Sequence, residues 1–212
     1  MATSPKTVAA PARLARRRDR RKAEIVREAI RLLAANGYQA VSLEQVAEQA
    51  DIAKATLYHY FSSKDELVSA ALDALTAGVM DRLEVVHAAT ATLSCREQLR
   101  ALSGEQLDIL LGEYPEVGTI FSWQGWWPEV HDEARKSMRR RHDAIFRTVI
   151  EAGMANGQFH CEDLGVALQC HHAIMNNVSS WVGQIDDPIA AAHARDATLA
   201  AVMRVVVAAD LD

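Results

Sequence analysis

The sequence predicts an all-α fold: an N-terminal three-helix, helix-turn-helix domain followed by a larger helical domain. Three observations carry that reading. Apolar residues recur at spacings of three and four along most of the chain, the period of a helix with one buried face. Strand signals are nearly absent, since the single β-branched run, Val205-Val206-Val207, continues the helical series Leu199, Val202, Met203, Val206. Finally, 212 residues with 50% hydrophobic content leave room for a small domain and a second, sizeable core. The expected divisions are a disordered basic arm over 1–19, the helix-turn-helix domain over 20–80, and a ligand-binding and dimerisation domain over 81–212.

The elements follow in order. The first dozen residues are mostly Ala, Pro, Ser and Thr without a hydrophobic period, and Arg13, Arg16, Arg17, Arg18, Arg20, Arg21 and Lys22 follow closely. Such an arm is expected to lack structure alone and to order along phosphates or in a minor groove. A first helix begins near Arg20. In the next, Leu43, Val46, Ala47 and Ala50 make one apolar face, and Ser42 with Gln45 forms a capping box. Asp51-Ile52-Ala53 is a turn of helix-turn-helix length. Lys54 to Tyr60 then turns Leu57 inward, leaving Lys54, Thr56, Tyr58 and His59 to reach phosphates and base edges, with Ala55 small enough for close approach. Ser63-Lys64-Asp65-Glu66 reads as a second capping box, opening a helix that continues to about His87.

Beyond it, helices are expected over Arg96–Gly112, ended by Gly112-Glu113-Tyr114-Pro115, then Val117–Trp127, Pro128–Gly153, Asp163–Val182 and Pro188 to about Ala209. The charge divides unevenly. Residues 1–80 hold 12 Lys and Arg against 9 Asp and Glu, net +3, and the remaining 11 against 19, net −8. The positive half is the one with the helix-turn-helix, as duplex-DNA binding requires.

The middle of the second domain is rich in aromatic groups. Phe121, Trp123, Trp126, Trp127 and His131 either fill a core or line a cavity for an apolar ligand, and Arg139, His142, Phe146, His171 and Met175 complete the expected ligand-binding set. Arg139-Arg140-Arg141 fan over about 200° on a helix, so at least one points toward the domain or a neighbour. The last two helices carry Leu168, Met175, Val178, Leu199, Val202, Met203 and Val206 on apolar faces that are most often the core of one chain, but are read as a homodimer interface because small alanines allow close helix approach and a palindrome-reading motif gains affinity from a two-fold partner. No metal site is expected: in Cys170-His171-His172 neighbouring side chains diverge by about 100°, without a Cys-x-x-Cys or His-x-x-x-His spacing. Enzyme motifs are absent too, with no Gly-x-Ser-x-Gly elbow, phosphate-cradling loop or His-Glu-x-x-His helix, and no cofactor is called for. No run approaches the ~18 apolar residues that span a bilayer, and the N-terminus lacks a signal peptide's hydrophobic stretch. The three cysteines, Cys95, Cys161 and Cys170, suit a reducing cytoplasm.

Ile25, Ala29, Leu32 and Gly37-Tyr38, then Ser42-Leu43 and Val46-Ala47, then Thr56-Leu57-Tyr58-His59-Tyr60-Phe61 with Lys64 and Glu66-Leu67, resemble the DNA-binding domain of the TetR family of bacterial regulators. The resemblance covers roughly Arg20 to Met80. Asp51 stands where the family often has glycine, so the turn must draw on the tolerance of Asp for left-handed backbone. Ala53 stands where Ser or Thr often caps the reading helix, and Asp51 is the nearest candidate to replace that cap. The resemblance implies a dimeric repressor, paired through its last two helices and released from a palindromic operator by a hydrophobic small molecule. DNA contacts are then expected from Ser42, Lys54, Ala55, Thr56, Tyr58, His59 and Lys64, with Arg17, Arg18 and Arg21 on phosphates. A finer pattern, from Glu133 through Arg139 to His142, Phe146, Gly157-Gln158-Phe159 and Met175 to Trp181, is similar to the subgroup that senses acyl-CoA thioesters. The alternative reading is a helical small-molecule-binding protein or enzyme with a vestigial DNA-binding module.

Overall fold

The computed structural model describes the backbone of residues 9–122 and 128–206, and the side chains of 12–120 and 128–206. The described residues are helical, with no strand among them. They fall into two compact units, 1–74 and 75–212.

In the first unit α1 (Ala9–Ala40) runs without a gap through residues 9–19, where an unstructured arm was expected. Pro11 sits in the first turn, where its missing N–H costs nothing, and the Ala- and Arg-rich stretch after it contains no helix breaker. Gly37, at φ 77° and ψ 168°, interrupts α1 near its end with a conformation that favours glycine. Ile25, Val26, Ala29, Ile30 and Leu33 form its buried stripe. α2 (Leu43–Gln49) begins with the expected capping box, Ser42 accepting from the Gln45 amide while Gln45 accepts from that of Ser42. Asp51 does adopt left-handed backbone, at φ 50°. It does not cap α3 (Lys54–Tyr58), which has no side-chain cap at Ala53.

The first turns of α4 (Lys64–Ala89) close this unit with Leu67, Val68, Ala71 and Leu72. The expected box at its start forms by half. Ser63 Oγ accepts from the Glu66 amide, but the Glu66 carboxylate reaches one residue further back, to the amide and hydroxyl of Ser62.

The second unit takes the rest of α4, followed by α5 (Cys95–Asp108), α6 (Glu116–Ser122), α7 (Glu129–Ala155), α8 (Leu164–Trp181) and α9 (Pro188–Met203). α5 starts one residue earlier than its pattern suggested, because Ser94 and Glu97 make a capping box. It ends by widening into a π-helical turn over Ile109–Glu113. Leu99, Leu102, Leu107 and Ile109 form the middle of the core, met by Phe146 and Ile150 of α7, Met175 and Val178 of α8 and Val202 of α9. α6 and α8 approach so closely that a methyl group at Gly118 would stand 2.3 Å from the Asn176 carbonyl oxygen. No described helix is long and apolar enough to cross a membrane.

Candidate functional sites

The outward face of the helix-turn-helix is built by subtraction. Leu57 is fully buried and Phe61 follows it into the same core, which leaves Lys54, Ala55, Tyr58 and His59 exposed and Thr56 half-buried. Lys54 is already engaged: its ammonium pairs with Glu44 of α2 and lies 5.8 Å from the centre of the Tyr58 ring. Both partners of that ion pair are more than half exposed, so it is a weak bond that a phosphate can displace. Beside α3 opens a groove lined by Leu14, Arg17, Arg18, Arg20, Arg21, Glu24, Thr56 and Tyr60. The first helix thus supplies a cationic wall to the reading helix.

Arg21 does more than add charge. Its guanidinium donates to Glu24 at 2.8 Å and to the Asp51 carbonyl at 3.4 Å, bracing the turn before α3. Lys64, expected on phosphate, lies 4.1 Å from the centre of the Tyr38 ring and donates to the Gln39 carbonyl at 3.5 Å. Burial pushes its ammonium pKa down. Lys64 therefore fastens the start of α4 to the end of α1. Ser42 is half-buried and occupied as a cap.

The second unit holds a buried polar cluster between α7 and α8. His142 and Asp143 come from α7, His171 and His172 from α8, with Ser103 and Gln106 of α5 nearby. The Phe146 ring packs 4.9 Å from His142 and 4.6 Å from His171. Ser103 Oγ lies 3.2 Å from His171 Nε2, and burial holds His171 well below its ordinary pKa, so it is neutral. Burial also lowers His142. Asp143 behaves differently. Burial alone would raise its carboxyl, yet the two imidazoles beside it bring it well below the usual carboxylate range. His172 Nε2 is 2.8 Å from Asp143 Oδ1, but the pair is misaligned for a hydrogen bond, and neither atom has a hydrogen-bonding partner.

A cavity of about 50 Å³ adjoins these groups, lined by Val79, Gln106, Ile109, Leu110, Val117, Met138, Arg139, His142, Asp143, His172 and Asn176. That is room for a few water molecules, whereas pockets for drug-sized ligands are of the order of 300–1,000 Å³.

Of the expected ligand set, Arg139 and His142 line the cavity, Phe146 and His171 pack behind it, and Met175 and His131 are buried without lining it. Trp123, Trp126, Trp127 and the Phe121 side chain lie outside the described residues. Arg140 turns back along α7 to Glu133 at 2.5 Å, and Arg141 reaches Glu84 of α4 at 3.2 Å. Asp143 and Gln106 were not singled out from the sequence, and His172 was weighed only with its chain neighbours Cys170 and His171 and set aside. They are ordinary polar residues on three helices, and only packing assembles them.

The seven residues read as a dimer interface, Leu168, Met175, Val178, Leu199, Val202, Met203 and Val206, are all at most 7% exposed within one chain. They hold α8 and α9 to their own core. The sides facing away carry Val166, Ala173 and Trp181 on α8, and Ile189, His193, Ala197 and Ala201 on α9.

A helix-turn-helix unit continued into a separate helical unit defines the class of helix-turn-helix regulators. Residues 25–71 match the family model described as bacterial regulatory proteins, tetR family, and residues 92–184 match the tetracyclin repressor-like C-terminal domain. The chain belongs to the TetR family of bacterial regulatory proteins. Among curated relatives, the HTH-type transcriptional activator FasR of Mycolicibacterium smegmatis is 34% identical over 136 residues, 61% of this chain and 58% of FasR. The first curated relatives are matched over only 35–58% of their lengths. Among solved structures, the ketosteroid transcriptional regulator KstR2 of Mycobacterium tuberculosis aligns with a TM-score of 0.73 at 18% identity, covering 89% of this chain and 96% of KstR2. FadR of Bacillus subtilis, in complex with stearoyl-CoA, aligns at 0.66 and 18% identity, covering 85% and 96%. These structural likenesses establish the fold.

Proposed function

We propose that this chain is a homodimeric transcriptional repressor, released from a palindromic duplex operator when a hydrophobic small molecule binds its second unit. An acyl-CoA thioester is the first candidate for that molecule. The observation that carries the DNA reading is α3: Leu57 anchors it while Lys54, Ala55, Tyr58 and His59 stand exposed beside a groove with four arginines. Phosphate contacts would come from Arg17 and Arg18, and base-edge contacts from Tyr58, His59 and Lys54 once Lys54 leaves Glu44. Arg21 and Lys64 would act by positioning.

Support for the thioester comes from the relative crystallised with stearoyl-CoA and from Arg139 at the cavity, a cation suited to a phosphate or carbonyl oxygen. The small cavity adds a condition. An acyl tail would have to enlarge it, which ties binding to a change of conformation, and coupling of about 1–3 kcal/mol would alter operator affinity by about 5–150-fold. Pairing would use the outward sides of α8 and α9, where Ala173, Ala197 and Ala201 permit close helix approach. The rest of the chain has no assigned chemistry, and the cytoplasm is the compartment such a regulator requires.

The test is direct. Selection from a random duplex library should enrich an inverted repeat, and Tyr58→Ala and Lys54→Ala should each weaken its binding by roughly 1–3 kcal/mol. Stearoyl-CoA should raise the melting temperature, change tryptophan emission and weaken operator binding, with stearate or CoA alone doing much less. No enriched repeat would overturn the DNA reading. Absence of a thermal shift across a panel of chain lengths would overturn the thioester.

A further inference from the structure

The geometry points to a divalent transition-metal site formed by His142, Asp143 and His172. One nitrogen from each imidazole and one oxygen from the carboxylate lie within 4.8 Å of one another. Asp143 Oδ1 stands 2.8 Å from His172 Nε2 and 3.7 Å from His142 Nδ1. Two ligand atoms of a tetrahedral ion with bonds of about 2.1 Å are roughly 3.4 Å apart, so the observed spacings bracket the required one.

The stronger argument is what these atoms lack. Asp143 Oδ1 and His172 Nε2 are buried without a hydrogen-bonding partner, as is Nε2 of His142, the nitrogen on the far side of that ring from Nδ1, and His172 is only 4% exposed. Burying a carboxylate oxygen such as Asp143 Oδ1 with no hydrogen bond to it is costly. One donor atom from each of the three residues, all within 4.8 Å of one another, can be shared by a single ion.

Two imidazoles and one carboxylate select a borderline ion such as zinc, cobalt or nickel over calcium or magnesium, which prefer all-oxygen sites. All three residues also line the 50 Å³ cavity, with Gln106, whose Oε1 is likewise buried and unpartnered. Gln106 is thus placed to accept from a water filling an open coordination position. The three ligands come from α7 and α8 and line the cavity that the effector reading also uses, but their geometry does not depend on that reading, so a failed thioester test leaves the site standing.

The experiment uses the full chain after chelation. Added Co²⁺ alone should bind one ion per chain with visible d–d absorption, Zn²⁺ should displace it, and Zn²⁺ should raise the melting temperature. Asp143→Asn and His172→Gln should each weaken Zn²⁺ at least a hundredfold, with folding checked by circular dichroism. Because a variant in so buried a cluster can fail to fold, X-ray absorption of the zinc-loaded wild type gives a second reading: nitrogen and oxygen at about 2.0–2.1 Å. Sulfur at about 2.3 Å, no cobalt band, or undiminished affinity in both folded variants would overturn the site and leave binding to surface groups.

Discussion

Replacing Arg17 and Arg18 together by Gln tests whether the groove beside α3 holds a DNA backbone. Gln keeps helix propensity and removes only charge. Both arginines are exposed, and both line the groove that contains Thr56 and Tyr60. Arg13 and Arg16 lie on the same helix and are equally exposed, but do not line it. The pair Arg13→Gln and Arg16→Gln therefore removes the same charge from the same segment and serves as control. Each phosphate contact contributes about −0.9 to the slope of log affinity against log salt, so losing two should make the slope shallower by about 1.8 per protomer. For a dimer with both protomers on the duplex this is about 3.6, so between about 50 and 200 mM salt the variant's deficit should be roughly a hundredfold larger at the lower concentration. Fluorescence anisotropy on a labelled duplex of arbitrary sequence is sufficient, since backbone contact is independent of sequence. The control should change the slope by less than half as much. Equal changes in the two pairs, or none in Arg17/Arg18, would refute the assignment of the groove.

Other outcomes follow from burial and space. Ile189→Asp, on an exposed side of α9, should shift the dimer toward monomer in sedimentation without unfolding it, whereas Leu168→Ala should cost about 2–5 kcal/mol of fold stability, because that side chain packs inside one chain. A dimer unmoved by Ile189→Asp would rule out this face. Gly118→Ala should destabilise by about 1–3 kcal/mol, since the added methyl meets the Asn176 carbonyl oxygen at 2.3 Å and backbone cannot turn aside. At roughly 4 °C per kcal/mol for a unit of this size, calorimetry should show the second unit melting about 4–12 °C lower. Gly112→Ala, with nothing within 4 Å of the new methyl, should leave it near wild type.

What the sequence made legible was whatever a few neighbouring residues decide. The Ser42 capping box, the left-handed Asp51 and the inward Leu57 depend on contacts within one or two turns, and all three are as their residue types require. The half-formed box at Ser63 shows the limit of such rules: Glu66 had two serines within reach and took the pair of donors on Ser62 over the single amide its pattern specified. The arm failed for a related reason. A run of arginines reads as solvated chain, but arginine is also a good helix former, and nothing between Pro11 and Glu24 stops α1 from extending.

The burial of the dimer set and the polar cluster share one cause. Hydrophobic periodicity finds the buried side of a helix, so on α8 and α9 it chose Leu168, Met175 and Val202, which the chain's own core had already taken. The exposed sides, alanines with an occasional Val166 or Ile189, have little hydrophobic contrast to detect. Polar clusters are hidden in the same way. His142-Asp143 and His172 are thirty positions apart in sequence, and neither shows ligand spacing along its own helix. They become a site only because α7 and α8 pack with those turns facing. In a helical chain, then, ligand spacing can be written across two helices instead of along one, and residues that look like isolated polar defects on two apolar faces are the ones to test as a pair.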